Sequence, residues 1–196
     1  AQINELNSTR RDLDTNITKE AIEQIENNAE NANKKATIVY NPQWHKGVIG
    51  IVASRLIERF YKPTLVFTKS GDLITGSARS IKGFDIYDAI DNSSDILEHF
   101  GGHTYAAGLA LKPEKLEVFK AEFQKYADEN LKEEYLTPEI SIDEELDVSD
   151  VNIKFYKILK QFAPFGPGNM SPVFVSNNVI DTGYAKIVGK NGQKHL

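Results

Sequence analysis

Between residues 36 and 130 the hydrophobic period switches repeatedly between that of a strand and that of a helix, and this alternation restricts the fold more than any other feature. Ala36 to Tyr40 is a short β-branched run that reads as a strand, and Asn41-Pro42 ends it. Val48, Ile51, Val52, Leu56 and Phe60 recur at helical spacing, and Lys62-Pro63 stops that helix. Thr64 to Thr68 predicts a second strand, Ser70-Gly71-Asp72 a turn, and Leu73 to Ser80 a third strand. Phe84 to Ile90 reads as a short helix, and Ile96 to Phe100 as the end of another. Ala106 to Leu111 is an apolar run with the length of a buried strand. Pro113 suits the first position of a helix from Glu114 to about Asn130, with Leu116, Phe119, Phe123 and Tyr126 facing the core. Such alternation predicts an α/β domain over residues 36–131. It does not say which strand pairs with which.

The flanks read differently. Residues 1 to 17 are polar, and a linker helix is expected from Thr18, inside a connecting segment of residues 1–35. Thr18 would cap it, Ile17 and Ile22 would staple it, and Ala21, Ile22, Ile25, Ala29 and Ala32 would form its apolar stripe. Charged residues 131 to 139, ending in Thr137-Pro138, mark a boundary. Beyond it, Glu139 to Asp143 reads as extended. Ser149 would cap a helix to about Gln161, stapled by Val148 and Ile153. Ala163 to Asn169 makes a rigid turn, and Pro172 to Ser176 and Val179 to Val188 read as strands. A β-structure that is not completed is expected over residues 138–196. The chain begins at Ala1 and stops at Lys194-His195-Leu196 after a glycine-rich turn, so a fragment of a longer protein is expected.

Composition narrows the chemistry. The 196 residues contain no cysteine, which removes disulfides, cysteine-zinc sites and thiol nucleophiles and fits a cytoplasmic setting. No apolar run approaches the ~18 residues of a membrane span. The net charge of −5 offers no global attraction for nucleic acid, so any such binding must use a local patch.

Three stretches could form that patch. His99 to Gly108 runs His-Phe-Gly-Gly-His-Thr-Tyr-Ala-Ala-Gly. Gly101 and Gly102 predict a tight turn that carries His103. Taken alone that is a capped turn, or else a donor presented to an anion. Gly76 to Ser80 puts the hydroxyls of Ser77 and Ser80 and the guanidinium of Arg79 beside a glycine, which suits phosphate oxygens. It equally suits an edge strand with a solvated arginine. Trp44 to Gly50 precedes a helix, with His45 and Lys46 near its N-terminus, while Trp44 itself reads as core. The carboxylates of Asp143 to Asp150 lack the spacing of a calcium loop, and the histidines lack paired metal spacing.

As an ordered set these stretches resemble a known family. Trp44-x-x-Gly47-Val48-Ile49-Gly50, then Lys62-Pro63, Gly76-Ser77-Ala78-Arg79-Ser80 and Phe100-Gly101-Gly102-His103-x-x-Ala106-Ala107-Gly108 resemble the DHH-associated domain of the RecJ single-strand-specific exonucleases. Pro164-Phe165-Gly166-x-Gly168-Asn169-x-x-Pro172 is similar to the start of that family's oligonucleotide-binding-fold domain. The resemblance implies a mixed β-sheet flanked by helices, preceded by a linker helix and followed by a truncated β domain. It implies a parent enzyme that uses Mn2+ or Mg2+ to degrade single-stranded DNA from the 5′ end, with its metals in a DHH domain absent here. It implies that Arg79 and His103 contact phosphate and that Ser77, Ser80, Gly101 and Gly102 shape the pocket; Gly76, by letting main-chain N–H groups approach, and His45 and Lys46, beside a helix N-terminus, are expected phosphate-binding residues on their own chemistry. The fragment alone would be inactive. Single-stranded DNA is the expected partner, with single-strand-binding protein as a second and no membrane. The alternatives are a small phosphodiesterase acting on short oligonucleotides or cyclic dinucleotides, and a non-catalytic nucleic-acid-binding module.

Overall fold

The computed structural model describes residues 2–29, 33–180 and 183. The chain divides into two compact units at Pro138/Glu139.

The first unit begins with α1, Gln2–Glu26, and not at Thr18 as expected. Its buried stripe of Ile17, Ala21 and Ile25 is extended towards the N-terminus by Asp14, which is almost fully buried. Asp14 accepts three hydrogen bonds of 2.7–3.0 Å from Arg55. A paired carboxylate thus occupies a core-facing position that a hydrophobic pattern does not register. Thr18 does not cap the helix; its hydroxyl lies 3.4 Å from Asp14 Oδ1, one turn back. Ala32 of the expected stripe lies outside the described residues.

The elements that follow are β1 Thr37–Tyr40, α2 Ile49–Phe60, β2 Thr64–Ser70, β3 Leu73–Arg79, α3 Ile86–Asp91, β4 His99–His103, β5 Ala106–Leu111 and α4 Leu116–Asn130. The sheet order is β1-β2-β3-β5-β4, with β1 parallel to β2 and every other pair antiparallel. The mixed sheet flanked by helices is therefore as expected, while β4 corrects the expectation. Residues 94–96 form a single 3-10 turn, and His99 to His103 is an edge strand. Gly101 and Gly102 pair with Gly108 and Ala107 inside the ladder, so the reversal falls on Thr104-Tyr105 instead. Glycine is a poor strand residue, and here the backbone of β5 supplies the pairing that side chains do not advertise.

Each face of the sheet has its own core. Val39 and Val66 meet Trp44, Val48, Val52 and Leu56 of α2 and its entry, together with Ile17 and Ala21 of α1. On the other face Leu65, Phe67, Ile74, Ala78, Leu109 and Leu111 meet α3 and α4. There Phe67 stands edge-on to Phe119, with ring centroids 5.8 Å apart, and Phe84 edge-on to Phe123 at 6.2 Å. The aromatic side chains of α4 thus supply the bulk of this second layer.

In the second unit, β6 Glu144–Glu145 runs parallel to β7 Phe174–Val175. The helix expected from Ser149 is split. Asp147 caps a 3-10 turn at Val148–Asp150, and Asn152 caps α5, Ile153–Leu159. Val148 and Ile153 are exposed and form no staple. Two short polar residues each offer a cap, and the later one starts the α-helix. Phe155 packs on Phe174 at 5.5 Å. The Ala163 to Asn169 turn is held by Asn169, whose amide donates to Phe162 O at 2.8 Å and Pro164 O at 3.0 Å. The expected strand from Val179 to Val188 lies largely outside the described residues.

Candidate phosphate-binding site

Strand register brings distant parts of the sequence into rows. Arg79, Ala106 and His103 lie side by side across β3, β5 and β4. The next row on the same face is Ser77, Gly108 and Gly101, and the third is Thr75, Ala110 and His99. All of these point to the α2 side, because strand residues two apart share a face. Helix α2 lies over β2 and β3. On β5 and β4 this face carries Gly108, Gly101, His99 and His103, all exposed. A side chain at Gly101 would meet nothing within 4 Å, so the floor there is bare backbone.

Arg79 is half-buried. Its Nη1 donates to Ala78 O at 2.8 Å and to Ser77 Oγ at 3.2 Å. No carboxylate pairs with it among the described residues, and burial pushes its pKa below the ordinary arginine value. A Cβ on Gly50, in the first turn of α2, would lie 3.0 Å from both Arg79 Nη2 and Ser77 Oγ. Glycine at that helical position therefore makes the room that the guanidinium fills. The first turn of a helix is itself electropositive, so Arg79 sits uncompensated beside like polarity.

His103 is exposed across the row, about 10 Å away at two strand spacings. Its Nδ1 accepts from Tyr105 N at 3.3 Å, so the neutral ring carries its proton on Nε2 and offers a donor. The turn that carries it is pinned to α3. Thr104 Oγ1 donates to Asp85 Oδ2 at 2.7 Å, and Ile86 N donates to Thr104 O at 3.1 Å. Asp85 also caps α3 by accepting from Tyr87 N and Asp88 N. The Thr104 hydroxyl is the largest influence holding the Asp85 carboxyl below its usual pKa, with smaller help from those amides and from the nearby His103.

The remaining candidates are dispersed. Gly76 is buried within the ladder, and its missing side chain leaves space on the opposite face for Phe67 and Leu109. Gly102 also faces away, where a Cβ would run into Ala106 O and the Ala107 backbone. Ser80 spends its hydroxyl on Phe84 O at 2.7 Å and shapes the loop before α3. His45 Nδ1 accepts from Gly47 N, and Lys46 Nζ lies 3.4 Å from Ser70 Oγ, at the hairpin end of β2 and β3 remote from Arg79. Arg79, Ser77, Gly101 and His103 are thus brought together; Gly76, Gly102, Ser80, His45 and Lys46 are not. Gly50, Gly108 and Thr104 lie in stretches that the sequence singles out, without a contact expected of them, and Asp85 lies outside those stretches; here Gly50 leaves room for Arg79, Gly108 pairs with Ser77 and Gly101, and Asp85 holds Thr104.

Residues 33–129 match the DHHA1 domain, and residues 142–196 match the RecJ OB domain. The single-stranded-DNA-specific exonuclease RecJ of Bacillus subtilis is 36% identical over 184 residues, covering 92% of this chain and 23% of that protein. The crystal structure of Thermus thermophilus RecJ in complex with Mn2+ superposes with a TM-score of 0.75 at 26% identity, over 89% of this chain and 25% of that one. Its counterpart with Mg2+ gives 0.72 at 27% identity, over 88% and 26%. The chain therefore spans about a quarter of the length of these relatives. Among its described residues no group of three His, Asp or Glu side chains could hold a metal ion. With a DHHA1 domain followed by a RecJ OB domain, the chain belongs to the RecJ family.

Proposed function

We propose that this chain is the substrate-gripping part of a metal-dependent exonuclease acting on single-stranded DNA from the 5′ end, and that Arg79 and His103 clamp a backbone phosphate. The observation that carries this is Arg79, a half-buried guanidinium without a carboxylate partner among the described residues, beside the first turn of a helix. Such a group pays desolvation that an anion offsets. A phosphate seated over Ala106 would accept from Arg79 on one side and from His103 Nε2 on the other. Fixed donors of this kind stabilise the charge that develops on non-bridging oxygens during phosphoryl transfer.

The ion itself has no seat among the described residues, so the contribution assigned to them is binding and orientation. On this reading the metals and the attacking water come from a DHH domain that this chain does not contain, and the isolated chain binds without cleaving. Fluorescence anisotropy with a 5′-phosphorylated oligothymidine tests the clamp. Losing a hydrogen bond to a charged group costs about 1.5–3 kcal/mol, so Arg79→Ala and His103→Ala should each weaken binding by about 10- to 100-fold. Unchanged affinity in both variants, with intact circular dichroism, refutes the clamp. Mn2+-dependent cleavage by the purified chain refutes the division of labour.

A further inference from the structure

We infer that the grip extends beyond one phosphate and that His99 holds a second phosphate of the same strand; the inference rests on reading Arg79 and His103 as a phosphate clamp. His99 and His103 are four residues apart on β4 and share the α2 face. At about 3.3 Å per residue the two imidazoles stand roughly 13 Å apart along the strand. One phosphate cannot meet both at that separation, whereas two non-adjacent phosphates of one strand can.

The ground between the histidines is clear. The intervening residue on this face is Gly101, paired with Gly108, and a side chain at Gly101 would meet nothing within 4 Å. Phe100 and Gly102 point to the other side of the sheet. His99 is exposed, and its side chain makes no hydrogen bond or ion pair among the described residues, so its ring is available as a donor. The carboxylate of its chain neighbour Glu98 lies 3.8 Å from the ammonium of Lys112 and is paired with it. The ligand this arrangement takes is an extended single strand lying along β4. A dinucleotide reaches the Arg79 and His103 end alone.

The test compares two 5′-phosphorylated probes, a thymidine dinucleotide and a thymidine hexanucleotide, by anisotropy on the 196-residue chain. His99→Ala should weaken the hexanucleotide by about 2- to 10-fold, the worth of one ordinary hydrogen bond, and leave the dinucleotide unchanged. His103→Ala should weaken both. His99→Arg should restore hexanucleotide binding and steepen its salt dependence by about 0.7 in log–log slope, as one more neutralised phosphate requires. If His99→Ala leaves the hexanucleotide unaffected while His103→Ala weakens both probes, the second contact is refuted and the clamp stands. Equal loss on both probes also refutes it, because it places His99 at the first phosphate. If Arg79→Ala and His103→Ala change neither probe, the clamp falls and this inference falls with it.

Discussion

Gly76 and Gly108 are two glycines on neighbouring strands that face opposite sides of one sheet, and substituting each by alanine separates packing from binding. A Cβ at Gly76 would lie 2.6 Å from Phe67 Cδ1 and 3.0 Å from Leu109 Cδ2. Phe67 has no retreat: it is fully buried and edge-on to Phe119 at 5.8 Å. Overpacking of a tight core costs about 1–3 kcal/mol. Replacing glycine by alanine recovers about 0.4–1 kcal/mol through the unfolded chain. The balance is a loss of up to about 2.6 kcal/mol, with a mid-range of about 1.3 kcal/mol that lowers Tm by about 4–6 °C in a unit of this size. At Gly108 the nearest atom to an added Cβ is Gly76 O at 3.9 Å, an ordinary contact. Gly108→Ala should therefore melt at or slightly above the wild-type temperature. Calorimetry gives the two Tm values, and anisotropy well below them gives the affinity for single-stranded DNA. The expected pattern is crossed: Gly76→Ala loses stability and keeps its affinity, whereas Gly108→Ala keeps stability and binds more weakly. A Gly76→Ala protein that melts like wild type yet binds poorly would refute this reasoning and return Gly76 to the ligand.

Gly50→Ala should raise helix stability by up to about 1 kcal/mol, while its Cβ displaces Arg79 and Ser77 and weakens binding; a variant with unchanged affinity refutes the assigned role of the gap. Thr104→Val should raise the pKa of Asp85, followed by carboxyl NMR against pH. The Asp85 carboxyl sits below its usual 3.8 in the folded chain, so its contribution to stability is complete above that value and fades as pH falls through the lowered one. Loss of the Thr104 hydroxyl should therefore move the acid limb of the stability curve to higher pH, and an unmoved limb counts against the pinning of the turn.

The parts of the fold visible in the sequence are those whose side chains carry the pattern. β2 and β5 carry apolar runs, β3 alternates buried with half-buried positions, and α2 and α4 repeat Val52 and Leu56 or Phe119 and Phe123 at helical spacing. β4 was invisible because a strand of His-Phe-Gly-Gly-His is defined by its neighbour's backbone. The first half of α1 was invisible because its buried contact is the ion pair of Asp14 and Arg55. At the site, Arg79 and His103 could be chosen for their chemistry. Their common row, and the opposite facing of Gly76 and Gly102, depend on register, which no local pattern in this sequence fixes.

β4 is an edge strand with two central glycines, and the side chain that anchors it to the core is Phe100, which packs on Tyr87 with ring centroids 5.5 Å apart. A slip of one residue against β5 would turn His99 and His103 together to the α4 side and present Phe100 and Gly102 in their place. The hydrogen bond from Thr104 to Asp85 ties the end of β4 to a helix cap and so acts as an alignment pin. The cap of α3, on a separate element from β4, thereby helps to set which face of the sheet His99 and His103 present.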